Sequence, residues 1–435
     1  MRILLIAYEF PPSASPQSLR WAYLSRELAL AGHDVHVLTI DLGGTTPGLP
    51  EIPPGVHIHR THAGMVRGVV ARRRNRRQQR APDGAGEGAG ATGARSGWKH
   101  RISVFLQRIA QRIWFPDLRG EWMRTGVRAL GGLLETVAPD VVISSHEPAT
   151  TLQLGLRAKR QGYRWIADLG DPVLAAYTPH HWRRRAARLE ADVCEHADGI
   201  LVTAASAARQ LEARHGRKRD VLLLTQGFDD RLPAEDRPGT GADWLDLLYT
   251  GSFYSFRRPE ALIDAVRRTQ GVRLSIAAVT LPDSVVRACR DEPERFRLLG
   301  FLPHASALRR QRMADVLVSI GNRDAGQVPG KVYEYLGAGR PILHIRHQED
   351  AVSQLLADTR RGDSCPDSTE AIIEKLEALR DAMRAGLLDG HYDLSPDPVA
   401  LYGWRHIASM LEHHLLALPH RMSPGSGAAD VLDTR

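Results

Sequence analysis

The chain opens on a continuous apolar run of strand length, Ile3–Tyr8, followed by a loop rich in Pro and Ser. Leu19–Leu30 then repeats apolar residues at helical spacing and stops before Gly32, a natural helix end. Val35–Ile40 and His57–Thr61 read as second and third strands. Val141–Ser144, Arg164–Asp168, Gly199–Thr203 and Val221–Thr225 follow, separated by helical segments. A second series runs through Leu245–Tyr249, Arg273–Ala278, Arg297–Leu299, Val316–Ile320 and Ile342–Ile345. Strands alternating with helices predict an α/β fold whose parallel sheets are covered on both faces. Two series predict two doubly wound domains, joined near Phe228–Asp243 where Pro and Gly gather. Pro398–Leu418 predicts a final helix, and Arg421–Arg435 a loose tail.

A length of 435 residues suits two or three domains, each able to bury its own core. With 43% hydrophobic and 25% charged residues, a disordered chain, a collagen-like repeat and a small disulfide-stapled fold are excluded. No run of 18 uncharged apolar residues occurs, so no spanning helix is expected. The stretch MRILLIAYEFPPSASP reads as a buried strand and not as a signal peptide. Cys194, Cys289 and Cys365 are odd in number and far apart, which suggests neither a disulfide framework nor a cysteine zinc site. The expected location is cytosolic.

Charge is unevenly placed. The net charge is +8 and the pI about 9.6. Residues 72–112 hold eleven Arg and Lys against Asp83 and Glu87, a local +9, so the rest sums to −1. Residues 71–97 combine the run Arg72–Arg80 with Gly and Ala, which predicts a flexible insertion. The segment Trp98–Trp114 places Trp98, Ile102, Phe105, Leu106, Ile109 and Ile113 on one helical face, with Lys99, Arg101, Arg108 and Arg112 beside or opposite them. Such a helix either packs on the core or meets an anionic membrane surface. No nucleic-acid recognition module accompanies the arginines. Arg183–Arg188, followed by Glu190, Asp192 and Glu195, reads as a solvated helix.

In parallel α/β sheets, ligands bind on loops at the carboxyl ends of strands. The first such loop, Tyr8–Ser18, offers Ser13, Ala14 and Ser15 beside a helix N-terminus, where phosphates are favoured. Its plainer reading is a Pro-stiffened loop with Ser18 as the cap. No GxGxxG follows the strand, which disfavours a nicotinamide dehydrogenase. In Ser144–Pro148, His146 can hydrogen-bond a sugar hydroxyl or accept a proton, or it is simply a solvated or capping residue. In Asp168–Pro172, Asp171 either turns the chain or holds an acceptor hydroxyl. No DxD occurs anywhere, so a sugar transfer here would be metal-independent.

The second series carries sharper signals. Tyr249-Thr250-Gly251-Ser252 ends a strand, and Arg257-Arg258-Pro259-Glu260 opens the next helix; a tight glycine turn facing two guanidinium groups suits a diphosphate. In Gln327–Pro341, Pro329 suits a first helical turn and Gly339 a helix end. Between them, Lys331 and Glu334 share a face, as a phosphate and ribose pair or as a surface ion pair.

Taken together, these stretches resemble the family 4 glycosyltransferases of GT-B fold over nearly the whole chain. The residues that carry the resemblance are Pro11-Pro12, Arg20 through Val35, Pro139–Val142, Ala167–Pro172, Gln226–Asp229, Tyr249–Ser252 and Pro329–Pro341. The resemblance implies two Rossmann-like domains whose parallel sheets face a central cleft. Residues 1–228 would take the acceptor, residues 229–397 the donor, and residues 398–420 would return to the first domain. It places Gly251, Ser252, Arg257, Arg258, Val328, Lys331 and Glu334 on the nucleotide sugar, with Glu334 on the ribose. It places His146 near the transferred sugar; Asp171 is the second candidate at the reaction, and Ser13, Ser15 and Arg20 are the candidates at the acceptor. The chain departs from the family's pattern at Gly326, Ser252, Gln226 and Ser13–Pro16, and Asp324 is the stand-in for a carboxylate at Gly326. The function so implied is a retaining, metal-independent glycosyltransferase, associated with the membrane, acting on a lipid-linked or polysaccharide acceptor without a cofactor. A GT-B-shaped nucleotide-sugar epimerase and a non-catalytic nucleotide-sugar-binding subunit are the alternatives.

Overall fold

The computed structural model describes residues 1–64, 68, 115, 118–175, 178–232, 243–254, 257–322 and 324–418. The opening apolar run forms β1 (Arg2–Ala7), whose last five residues are all buried. It pairs in parallel with β2 (Asp34–Asp41) on one side and β4 (Val141–His146) on the other. With β3 (Val56–His62), β5 (Trp165–Leu169), β6 (Gly199–Val202) and β7 (Val221–Leu223), the sheet order is β3-β2-β1-β4-β5-β6-β7. Every pair is parallel, as alternation with α1 (Pro16–Leu30), α2 (Met123–Val137), α3 (Ala149–Arg160), α4 (Arg183–His196) and α5 (Ala205–His215) requires. Apolar layers cover both faces. On one face Leu4, Ile6 and Leu38 meet Leu130 and Leu134, and farther across that same face Trp165 and Ile200 meet Leu152 and Val193.

The second sheet, β10-β9-β8-β11-β12-β13, is also wholly parallel. It comprises β8 (Leu245–Thr250), β9 (Val272–Ala277), β10 (Phe296–Leu298), β11 (Val316–Ile320), β12 (Ile342–Arg346) and β13 (Gly362–Pro366). Its helices are α6 (Glu260–Arg268), α7 (Asp283–Asp291), α8 (His304–Met313), α9 (Gly330–Gly337), α10 (Ala351–Thr359) and α11 (Thr369–Arg384). The edge strand β13 has no counterpart in the hydrophobic pattern. Its sequence, Gly-Asp-Ser-Cys-Pro, buries Cys365 alone, and an edge needs little apolar surface.

Two compact units result. One takes Met1–Thr46, Pro50–Leu224 and the chain from Ala408 to its last described residue; the other takes Pro47–Leu49 and Thr225–Ile407. The final segment is not one helix: a 3-10 turn, Asp397–Tyr402, is separated from α12 (Trp404–Ala417) by an extended Gly403. A side chain at Gly403 would lie 2.7 Å from the Asp230 carboxylate, and its backbone bridges to Phe228. That close approach breaks the helix. The Arg183–Arg188 run does begin a solvated helix, but Glu190 is buried and holds Arg214, His215 and the Leu174 amide. Among the described residues, no helix is long and apolar enough to cross a membrane. The insertion 71–97 and the segment Trp98–Trp114 lie outside the described residues.

Candidate functional site

At the carboxyl end of β8 the chain turns through Gly251 with φ +108°, a conformation that L side chains rarely adopt. A Cβ there would touch the Lys331 side chain at 3.5 Å. Lys331 sits in the opening turn of α9, for which Pro329 is the N-cap and not a first-turn residue. Its ammonium donates to Thr250 O at 3.1 Å and lies 3.7 Å from the centre of the Tyr249 ring. Burial, and then the nearby Arg257 guanidinium, pull its pKa well below the ordinary lysine value, with Glu334 opposing. Burial also pushes the Tyr249 phenol up to about 12.

The two arginines are not equivalent. Arg257 is buried and donates to Asn322 Oδ1 at 2.5 Å and Ser252 O at 3.4 Å, whereas Arg258 is exposed. Both line an open cavity of about 540 Å³ with Tyr254, Pro259, Pro282 and Asp367. Ser252 contributes its carbonyl, which also accepts from the Tyr249 hydroxyl. Val328 is half-buried against the apolar cluster of α9.

Glu334 lies one turn beyond Lys331, but the Lys331 ammonium is packed against Thr250 and Tyr249, so the two are not a surface ion pair. Its Oε2 accepts from Gln311 Nε2 at 3.3 Å, and that same amide reaches Thr250 Oγ1. Gln311 is fully buried, with no hydrogen-bond partner for Oε1. Asp324 is exposed and accepts from the Gly326 amide, closing a turn. Gln311, Asn322 and Tyr335, which bonds Thr250, were not anticipated. Asn322 follows a strand end by two residues, a usable signal; Gln311 lies within a helix and offers none.

In the first unit, β4 ends at His146, which is 4% exposed. Its Nδ1 is 2.8 Å from Asp171 O. A carbonyl only accepts, so Nδ1 carries the proton and Nε2 is an acceptor while the ring is neutral. Burial lowers the His146 pKa, against the pull of Glu147 and Asp171. Asp171 thus orients the ring through its backbone. Asp168 is fully buried and accepts from Trp21 Nε1 at 2.7 Å, Gln17 Nε2 at 3.0 Å and Ser145 Oγ at 3.1 Å.

Three expectations change here. Arg20 is fully buried, paired with Asp168 at 3.5 Å and donating to Leu224 O at 2.8 Å, so it touches no acceptor. Ser15, not Ser18, caps α1, its Oγ accepting from the Ser18 amide. Ser13 donates to Glu9 and, through its carbonyl, receives the Ser18 hydroxyl. The residue that reaches from α1 to the strand ends is Gln17, which donates to Ser145 Oγ and to His146 O at 3.1 Å.

The lowered His146 pKa gives a signed prediction. Between the ordinary histidine value near 6.5 and that lowered value, the unfolded chain binds a proton that folded His146 refuses. Stability should therefore fall as pH drops below about 6.5. Urea melts at pH 7 and pH 5 should show part of that slope removed in His146→Gln; equal slopes would refute it.

Two wholly parallel Rossmann-like sheets, each with polar residues gathered at the carboxyl ends of its strands, are the arrangement of the GT-B fold. Residues 17–227 match the glycosyl transferase 4-like domain. The chain is 22% identical over 259 residues to a probable glycosyltransferase, WbjE, of Pseudomonas aeruginosa, covering 54% of this chain and 65% of that relative's length. A sucrose-phosphate synthase from Thermosynechococcus elongatus shares the fold with a TM-score of 0.65 at 16% identity, over 96% of this chain and all of that one. HepE of Anabaena, solved with UDP, gives 0.63 at 10% identity, over 96% of this chain and 100% of its own.

Proposed function

We propose that this protein moves a sugar from a nucleotide diphosphate sugar to a lipid-linked or polysaccharide acceptor, with retention and without a metal at the donor. The observation that carries the reading is the crowding of Lys331 and Arg257 at the end of β8, beside the N-terminus of α9. Two cations held near a single carboxylate leave a local excess of positive charge, which a diphosphate would complement. As the glycosidic bond breaks, charge develops on that diphosphate, where fixed cations and helix N–H groups stabilise it without a metal. Glu334 would accept from the ribose hydroxyls, steadied by Gln311. Arg258, Gly251, Ser252 and Val328 would line the donor. His146 Nε2 would accept from a hydroxyl of the transferred sugar, and Ser13, Ser15 and Asp171 would border the acceptor. Retention is what the resemblance to family 4 implies, and the domain roles follow the same pattern.

A panel of nucleotide sugars tested against the purified chain, with and without acceptor, decides the matter. Binding of one donor and transfer only when acceptor is present is the expected result. An altered donor without acceptor would mean an epimerase, and binding without turnover on a native lipid extract would mean a non-catalytic subunit. No binding of any donor would defeat all three. The basic stretch from Arg72 to Arg112 would hold the protein to the inner face of the membrane, at about 1 kcal/mol per residue near the surface. Removing residues 71–97 and neutralising Lys99, Arg101, Arg108 and Arg112 should therefore weaken binding to anionic vesicles; equal binding would count against it.

A further inference from the structure

A second polar cluster lies at the opposite end of the first sheet, where β2 and β3 begin. The parallel register pairs His36 with His57, so Asp34 and His36 of β2 share a face with His57 and His59 of β3. Asp34 Oδ2 is 3.3 Å from His36 Nε2, and Asp34 Oδ1 is 3.2 Å from His57 Nε2. One ligand atom from each of these three residues lies within 4.8 Å of the others. The second nitrogen of His36, Nδ1, is 2.9 Å from His59 Nε2, with the two rings stacked at 5.2 Å. The side chains of Asp34 and His57 are 46% and 51% exposed, so the cluster is open to solvent.

We propose that Asp34, His36 and His57 form a binding site for a divalent transition ion of the Zn²⁺ class, with His59 holding the His36 ring. Ligands about 2.0–2.1 Å from a tetrahedral ion stand roughly 3.3–3.4 Å apart; each imidazole already lies at about that distance from its own oxygen of Asp34, and a small turn of the carboxylate would bring one oxygen to both. Two imidazoles and one carboxylate suit Zn²⁺, Cu²⁺ or Ni²⁺ better than Mg²⁺ or Ca²⁺. With Nε2 on the ion, Nδ1 of His36 carries the proton and donates to His59, an outer contact that fixes tautomer and ring orientation. Water completes the coordination. The site ties the edge strand β3 to β2, at the amino ends of the strands, whereas His146 lies at the carboxyl end of β4. Its role is to brace the sheet edge, and it does not depend on the donor chemistry.

The full chain, stripped with EDTA, is titrated with Zn²⁺ by calorimetry and with Co²⁺ by visible absorption. One tight equivalent, a tetrahedral cobalt spectrum and a raised melting temperature are expected. All three should vanish in His36→Ala/His57→Ala, and His59→Gln should weaken the affinity at least tenfold. No binding by the wild-type chain, or the same stoichiometry in the double variant, would overturn the site by placing the ion elsewhere among the 19 histidines. Unchanged affinity in His59→Gln would overturn its orienting role. Asp34→Asn, altering a half-exposed side chain, supplies a variant whose metal-free melting should match the wild type and whose Zn²⁺ affinity should still fall.

Discussion

Lys331→Met should lower kcat/KM for the nucleotide-sugar donor by about 10²–10³-fold, the usual cost of removing one fixed donor to a developing anion. Methionine keeps the length of the stem against Tyr249 and Tyr335 and loses only the charge. Folded stability should hold or rise, because an ammonium drawn this far from water is itself costly to keep. Glu334→Gln makes the contrast. It should raise the donor KM by about 10-fold or somewhat more, matching the loss of a hydrogen bond to a charged group, with kcat little changed. Steady-state kinetics against varied donor separates the two. A Lys331→Met enzyme within twofold of wild type would remove the cation pair from the donor site.

Asp168→Ala should destabilise the first unit by about 3–5 kcal/mol, the range for removing one partner of a buried ion pair. The carboxylate is the common acceptor for Trp21, Gln17 and Ser145, and it faces the fully buried Arg20. Without it, Arg20 keeps the Leu224 carbonyl but loses its buried carboxylate, and the indole N–H is stranded. Asp168→Asn, which keeps one acceptor oxygen, should cost less. Urea denaturation followed by circular dichroism measures both, and a shift of under about 1 kcal/mol for the alanine variant would sink the assignment. Because Gln17 also binds the His146 carbonyl, the network links α1 to the end of β4. Loss of activity in Asp168 variants should therefore follow misplacement of His146 and not a direct catalytic role.

Most of the fold was legible because a buried parallel strand must be an apolar run, and Ile3–Tyr8, Val316–Ile320 and Ile342–Ile345 are such runs. The strand β13 escaped because an edge strand pairs through its backbone and needs few apolar side chains. The break at Gly403 escaped because it is set by Asp230, far away in the chain. Motif position located the loop at Gly251 and the helix of Lys331 and Glu334, since short-range spacing specifies both.

Which side chains face a ligand was another matter. Arg20, Arg257 and Arg258 look alike in sequence, yet one is locked in the core, one is anchored to Asn322 and one is in solvent. The sequence by itself determined the two parallel sheets, the loops at their carboxyl ends and the residue types those loops carry, because local spacing and apolar patterning fix them. Only the tertiary structure decided that Gln17 replaces Arg20 at the strand ends, that Gln311 supports Glu334, and that Asp34, His36 and His57 meet. Each depends on which elements become neighbours, and residues that are neighbours only in space leave no mark in the spacing of the chain.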